Sequence, residues 1–334
     1  MIGAQSQEGP MRLAAPIAIA VTIALGLSGC ATAPRTEAGL IADAGIKATG
    51  TMQTDVNTLA GHVTSADVTE AFTQRWQICA NPQNCGVPVP IDARLFDERR
   101  KLAVAIQLRA RALGALGEAY GALKQEASYD ARADATSATN DAVGAVNDFA
   151  GTIFKLSGAP LPAPIVALAG NIGGIIADSR QRHRILAANA KLREIAQRLH
   201  DGLKQEAFVF DTVAAATEKQ RAAARIALFQ SGLIPGTTLI RPMTDSLGVQ
   251  LSPGADATIA ASPALKAAVT DTAKAQSLAE TVAIQGRYQA SLAALEALIA
   301  EQDKLGGKGG VSLAEVDRLL GTIVASLAAG QGGH

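Results

Sequence analysis

Apolar residues recur at Leu95, Leu102, Ile106, Leu113, Leu116, Tyr120 and Leu123. These spacings of three, four and seven lie on one stripe of an α-helix. Asp92 precedes the run as an N-cap, and the pattern predicts a long helix from 93 running to Leu156. It must stop at Ser157-Gly158-Ala159-Pro160-Leu161-Pro162-Ala163-Pro164, because proline lacks the backbone donor and clashes with the preceding turn. A second pattern runs from Ile165 to Gln230, with Leu192, Ala196, Leu199, Leu203, Ala207 and Phe210 on one face. Two arms of similar length about a proline turn predict an antiparallel helical hairpin over 93–230. Each arm would be on the order of 90 Å long at 1.5 Å per residue.

The flanks add helices of weaker pattern. Residues 30–50, rich in Ala, Thr and Gly, read as a tether, Thr51 to Ile78 as helix, and Asn81 to Pro90 as a rigid extended loop. Residues 231–262 change character, with Gly, Pro and β-branched runs such as Thr237-Thr238-Leu239-Ile240. They predict an irregular loop insertion carrying a small strand pair. Ser262-Pro263 has the N-cap and N1 order of a helix start. That helix continues to Lys304 through Leu278, Val282, Gln285, Tyr288, Leu292, Leu295 and Ile299. After the glycines of 306–310, Ser312 and Glu315 form a capping-box pattern for a last helix bearing Leu313, Val316, Leu320, Ile323 and Leu327. The expected fold is all-α: an elongated antiparallel bundle of about four to five helices, one domain over 51–329, with 330–334 as a disordered tail.

Composition sharpens this. Of 334 residues 69 are alanine, and Phe, Trp and Tyr together supply 3%, so a 48% hydrophobic chain is built mostly of small side chains. Such residues favour long, closely approaching helices over a thick sheet core. The 30 basic and 30 acidic residues balance to zero, which argues against a nucleic-acid partner, since phosphate affinity needs a basic excess. Balanced charge with this hydrophobicity also argues against a disordered chain.

Leu13 to Leu27 is uncharged and largely Ala, Ile, Leu and Val, the length of a signal-peptide apolar region and short for a membrane span. It ends in Leu27-Ser28-Gly29-Cys30, which resembles the bacterial lipobox. The resemblance implies a signal peptide over 1–29, with Met11 as an alternative start, cleavage before Cys30, and acylation of its thiol and new amino group. Three acyl chains would anchor the protein stably, at about 0.8 kcal/mol per buried methylene. Ala31 and Thr32 follow the cysteine, without the aspartate of inner-membrane retention in enterobacterial lipoproteins. The implied location is the cell envelope, on the periplasmic face of the outer membrane. The competing reading is an ordinary anchor helix in which Cys30 is incidental.

Cys79 and Cys85 bracket a Pro/Asn loop. In an oxidising compartment a structural disulfide is the natural reading, with metal or redox chemistry as the alternative. Five intervening residues do not match zinc-knuckle spacing.

Catalytic constellations are sparse. His62, His183, His200 and His334 are scattered, and no HExxH, nucleophile elbow or phosphate-binding loop occurs. The residues therefore predict no enzyme, no catalytic residue, no cofactor and no metal. Arg180 to Arg184 reads as a solvated helix face or a site for an acidic partner or anionic headgroups. Gly170 and Gly174, like Gly117 and Gly121, stand four apart, a spacing suited to close helix approach. The 22 positions from Leu156 to Ala177 carry no charge. This hairpin tip could be buried in the bundle, meet a protein partner, or enter a bilayer. The functional expectation is a lipid-anchored, non-enzymatic structural or interaction module with an envelope protein partner. The alternative is a membrane-active protein whose tip at 156–177 inserts, resembling helical pore-forming toxins.

Overall fold

A computed structural model describes residues 29–88, 93–128, 135–157, 163–164, 177–305, 307 and 310–331. The signal segment up to Ser28, Asp92, most of the uncharged tip (158–162 and 165–176, with Gly170 and Gly174) and residues 332–334 lie outside them. The described chain is all-helical: α1 (Gly29–Cys79), a 3₁₀ turn (Pro82–Asn84), α2 (Ala93–Ala127), α3 (Ala135–Ser157), α4 (Ala177–Gln230), α5 (Gly236–Ser246), α6 (Ala255–Ala261), α7 (Pro263–Gln302) and α8 (Ala314–Gln331). The bundle is as expected, but the described residues hold more helices than four or five, and they depart from the expected layout in three places.

First, residues 30–50 are no tether. They are the opening turns of α1, and Ala38, Ile41, Ala42 and Ala48 have no exposed surface. An alanine-rich segment reads as a linker by composition, yet alanine is the best helix former and packs where a larger residue could not.

Second, the first arm of the expected hairpin is two helices. Neither glycine nor proline occurs between Ser128 and Asp134, so the periodicity runs through a place where the chain reverses. The apolar face of α3, with Ala142, Val146, Phe149 and Ile153, is buried against its neighbours α2 and α4, which an uninterrupted helix could not achieve. The direction of α3 follows from contacts. Arg184 pairs with Glu126 (2.7 Å) and Arg109 with Glu206 (3.4 Å), so α2 and α4 are antiparallel. Phe149 lies against Gly202, about 27 Å along α4 from Arg184 at 1.5 Å per residue. Were α3 antiparallel to α4, Ala135 would sit a further 21 Å or so beyond that level, about 48 Å from the end of α2. The chain from Ser128 to Ala135 spans at most about 25 Å. So α3 rises alongside α4 in the same direction, and Arg198, midway along α4, donates to the Ala163 carbonyl. The two-armed antiparallel hairpin is not formed.

Third, the insertion at 231–262 holds two short helices and no strand. Gly232 (φ +76°) ends α4 in the left-handed conformation, with the Leu233 amide bonded back to the Leu228 carbonyl at 2.9 Å. The Asp256 carboxylate takes both the Thr237 amide (2.9 Å) and hydroxyl (2.8 Å), holding the first turn of α5. Leu239 then joins Ile226, Phe229, Ile259, Val269 and Ala273 in a small satellite core. Burial of this face overrides the β preference of the Thr-Thr-Leu-Ile run.

The helix stripes of α2, α4 and α8 bury as their spacing predicts; Leu113, Leu116, Leu123, Leu192, Leu199, Leu320 and Ile323 are fully covered. Ser262 caps α7, its hydroxyl accepting from the Leu265 amide (3.3 Å). On α7 the expected stripe is buried at Tyr288, Leu295 and Ile299, but Leu278 and Val282 are 68% and 60% exposed, and there the buried face passes instead through Val269, Ala273 and Ile284. The capping box of α8 is absent too. Glu315 pairs with Arg318 (2.6 Å), and the Ser312 amide donates to Glu301 (2.8 Å).

Glycine lets α1 and α2 approach. A Cβ at Gly45 would stand 2.5 Å from Tyr120 Cδ1, and one at Gly117 would stand 2.8 Å from the Thr49 hydroxyl, whereas Gly121 and Gly50 face open space. Gly45→Ala is therefore expected to destabilise by about 1–3 kcal/mol through overpacking. Gly50→Ala, five residues on in the same helix, should stabilise by about 0.5–1 kcal/mol. Urea unfolding of the two variants checks the pair, and effects of like sign would contradict this packing.

Candidate functional site

Among the described residues, three ion-paired networks interrupt the alanine-rich core. In the first, Arg109 of α2 meets Glu206 of α4 at 3.4 Å, both almost fully buried. The guanidinium carbon lies 5.1 Å from the Tyr288 ring centroid, within cation–π range, and the Tyr288 hydroxyl donates to the Leu203 carbonyl. Burial raises the Glu206 carboxyl above its ordinary range, and Arg109 pulls it only part of the way back. Burial likewise raises the Tyr288 phenol, with Glu206 adding to the rise.

The second group lies one layer along. Arg287 Nε donates to Asp55 at 2.7 Å, Nη1 to the Ser326 hydroxyl at 3.2 Å, and Nη2 to Glu280 at 3.4 Å. The Arg287 and Asp55 side chains are 3% and 4% exposed, so α1, α7 and α8 are tied together through a charge out of solvent.

The third borders a cavity of about 320 Å³ between the distal parts of α1, α4, α7 and α8, with Pro242 of α5 over it. His62 Nδ1 lies 2.8 Å from Glu218 Oε1, and Arg221 grips both Glu218 oxygens at 3.0 and 2.9 Å. Arg225 stands one turn further along α4, and Gln276 and Glu280 face it from α7. Burial works to raise the Glu218 carboxyl, but the His62 hydrogen bond and the Arg221 charge outweigh it and hold the group below the usual glutamate range. Burial and the neighbouring Arg221 lower the Arg225 guanidinium, against the pull of Glu218. This concave space, walled by alanines on one part and charged groups on the other, is the candidate site. It offers charge and directional hydrogen bonding at the edge of a rigid scaffold.

Of the residues singled out by sequence, only His62 falls here. His200 is buried beside Asp201 at 3.6 Å, and Arg182, His183 and Arg184 are exposed. Cys79 and Cys85 lie at disulfide distance, Cα to Cα 4.3 Å, in the turn that closes the far end of α1. There Arg75 donates to the Val87 carbonyl at 2.6 Å, and Asn81 caps the 3₁₀ turn. Cys30 is in the first turn of α1. Among the described residues no cluster of His, Cys, Asp or Glu is placed to hold a metal ion. No helix among them is long and apolar enough to cross a membrane. The partners of the three polar groups are missed by sequence because 97, 156 and 232 residues separate Arg109 from Glu206, His62 from Glu218 and Asp55 from Arg287. One signal was present: Arg109 stands between Ile106 and Leu113 at stripe spacing, and Arg287 adjoins Tyr288. Comparison with protein-family models, with curated proteins and with solved structures returns no match to this chain.

Two outcomes follow from this geometry. Asp55→Leu leaves Arg287 without its closest counter-charge in the core and should cost about 3–5 kcal/mol, much of it recovered when Arg287→Met is added; chemical denaturation of single and double variants measures both. Because the Glu218 carboxyl is depressed in the folded chain, its contribution is present above the unfolded value of 4.5 and lost as pH falls through the folded one. Glu218→Gln should therefore melt below the wild type at pH 7, with the gap closing in acid below about pH 4.5. Melting curves over pH 3–8 would contradict this assignment if the gap were constant.

Proposed function

We propose that this chain is a lipid-anchored protein of the cell envelope, a non-enzymatic structural or interaction module held on the periplasmic face of the outer membrane through Cys30. The observation that carries the reading is Leu27-Ser28-Gly29-Cys30 after an uncharged apolar run, the small-residue approach to a cysteine that resembles the lipobox. Cys30 lies in α1, and Pro34 and Ala38 of the same helix are buried in the bundle. An acylated Cys30 would thus join the rigid body directly, with no flexible segment between lipid and fold.

Consequences for placement are geometric. The 51 residues of α1 extend about 75 Å at 1.5 Å per residue, so the disulfide turn is carried to the end remote from the anchor. On that remote end Val68, Phe72 and Trp76 are 65%, 53% and 40% exposed at spacings of four. Large apolar residues aligned on an exposed helix face favour contact with another protein. Neither the three ion networks nor the cavity brings a nucleophile and a base into an evident acyl- or phosphoryl-transfer arrangement, which is why the reading is a module and not an enzyme.

Metabolic labelling with a clickable palmitate analogue tests the anchor. Label should enter the wild type and be absent from Cys30→Ala, which should also fail to mature by cleavage before position 30. Equal labelling of the two chains would overturn the assignment.

A further inference from the structure

The cavity beside Glu218 has an unbalanced inventory of hydrogen-bonding groups. Its two carboxylates already have cationic partners: Glu218 has His62 and Arg221, and one oxygen of Glu280 has Arg287 at 3.4 Å. Arg221 turns its Nη1 to both Glu218 oxygens. Arg225 differs. Among the described residues it enters no ion pair, and its one hydrogen bond is long, 3.4 Å to the Thr238 carbonyl. The Gln276 amide nitrogen is buried without a partner, and Gln276 and Arg225 line the same space. A buried donor without an acceptor is costly, and a guanidinium presents a planar fork that matches a carboxylate with two parallel bonds. What these two donors lack is a close acceptor of their own.

The rest of the wall restricts its form. Ala222, Ala273, Ala283, Ala329 and Pro242 supply the apolar surface, suited to methylene groups and not to a second polar end. Glu218 and Glu280 in the same wall disfavour a dianion such as phosphate, so a single negative charge fits best. The volume, about 320 Å³, is roughly twice the 150 Å³ cavity that holds benzene. That admits a chain of several carbons and leaves a two-carbon acid loose.

We infer that this cavity binds a medium-chain aliphatic monocarboxylate, its carboxylate held by Arg225 and the Gln276 amide and its chain laid on the alanine wall. This is a ligand site inside the bundle, separate from the lipid at Cys30, and it does not depend on acylation there.

The test is calorimetric titration of octanoate into the full chain in lipid nanodiscs, with empty nanodiscs subtracted, beside octanol, octylamine and inorganic phosphate. Octanoate should bind at a one-to-one ratio, and the three other probes at least tenfold more weakly. Arg225→Gln should weaken octanoate at least tenfold without changing the helical circular dichroism. Ala283→Phe, which fills the cavity from a half-buried position, should remove binding altogether. Equal affinity for octanoate and octylamine, preference for phosphate, an unchanged constant in Arg225→Gln, or no saturable octanoate binding would each overturn the inference. Arg225→Gln decides the matter even if the filled variant fails to fold.

Discussion

The bundle depends on how closely α1 and α2 approach where the Tyr120 ring occupies the space that a side chain at Gly45 would need. From that contact the antiparallel register is set. Thr49 then meets Gly117, Gln53 meets Gly114, Asp43 pairs with Lys124, and Arg35 reaches the Ala127 carbonyl. The same solution recurs between α3 and α4, where Phe149 packs on Gly202. With 69 alanines and few aromatics, the core cannot be filled by large side chains meeting midway. It is filled by backbones brought together, with the scarce large rings seated on glycine. Interiors must reach crystal-like density, and in this composition close approach is the way to reach it.

Close approach leaves a second problem, which is specificity of register. Alanine faces look alike from one turn to the next, so a helix sliding by a turn would lose little contact area. Three buried polar groups remove that freedom. Arg109 with Glu206 fixes α2 on α4, Asp55 with Arg287 fixes α1 on α7, and His62 with Glu218 fixes α1 on α4. Desolvation consumes most of what such pairs gain, so they are weak contributors to net stability. Their effect lies in what a misplaced register would cost, since every slip strands a charge in the core. The raised carboxyl of Glu206 shows the expense directly: even beside Arg109, burial dominates.

These two features explain which parts of the structure were legible in the sequence. Stripes made of leucine, in α2, α4 and α8, could be read because large residues mark the buried face without ambiguity. Where alanine makes the face, periodicity has little contrast. Hence residues 30–50 looked like a tether, and α7 was read through Leu278 and Val282 when its buried side runs through Ala273 and Ile284. The reversal between α2 and α3 carries no glycine or proline to announce it, and α5 forms from β-branched residues because Asp256 and a satellite core hold it. The site was legible by half. A charged residue at a stripe position, Arg109 or Arg287, reveals that a buried ion exists; its partner belongs to another helix and has no local signature.

The cavity has its origin in helix lengths. At 40 residues α7 far outruns the 18 of α8, so α4 and α7 continue past the point where α8 can cover the seam between them. Ser326 and Ala329, in the last turns of α8, are the last residues it contributes to the wall, and α5 and α6 close the far end with their own small core. Between these two covers lies a stretch that neither fills. Apolar residues there would have bordered water, and alanine gives them little area to hide. Ion pairs tolerate such a boundary better, because a carboxylate gripped by two partners is satisfied whether or not water enters. Glu218 meets that condition through His62 and Arg221, and Arg287 meets it at the floor through Asp55 and Ser326. Among the described residues Arg225 is the cation of the wall that no carboxylate meets in an ion pair, Glu218 acting on it only at a distance, and a position that packing and register do not account for is where binding is best sought.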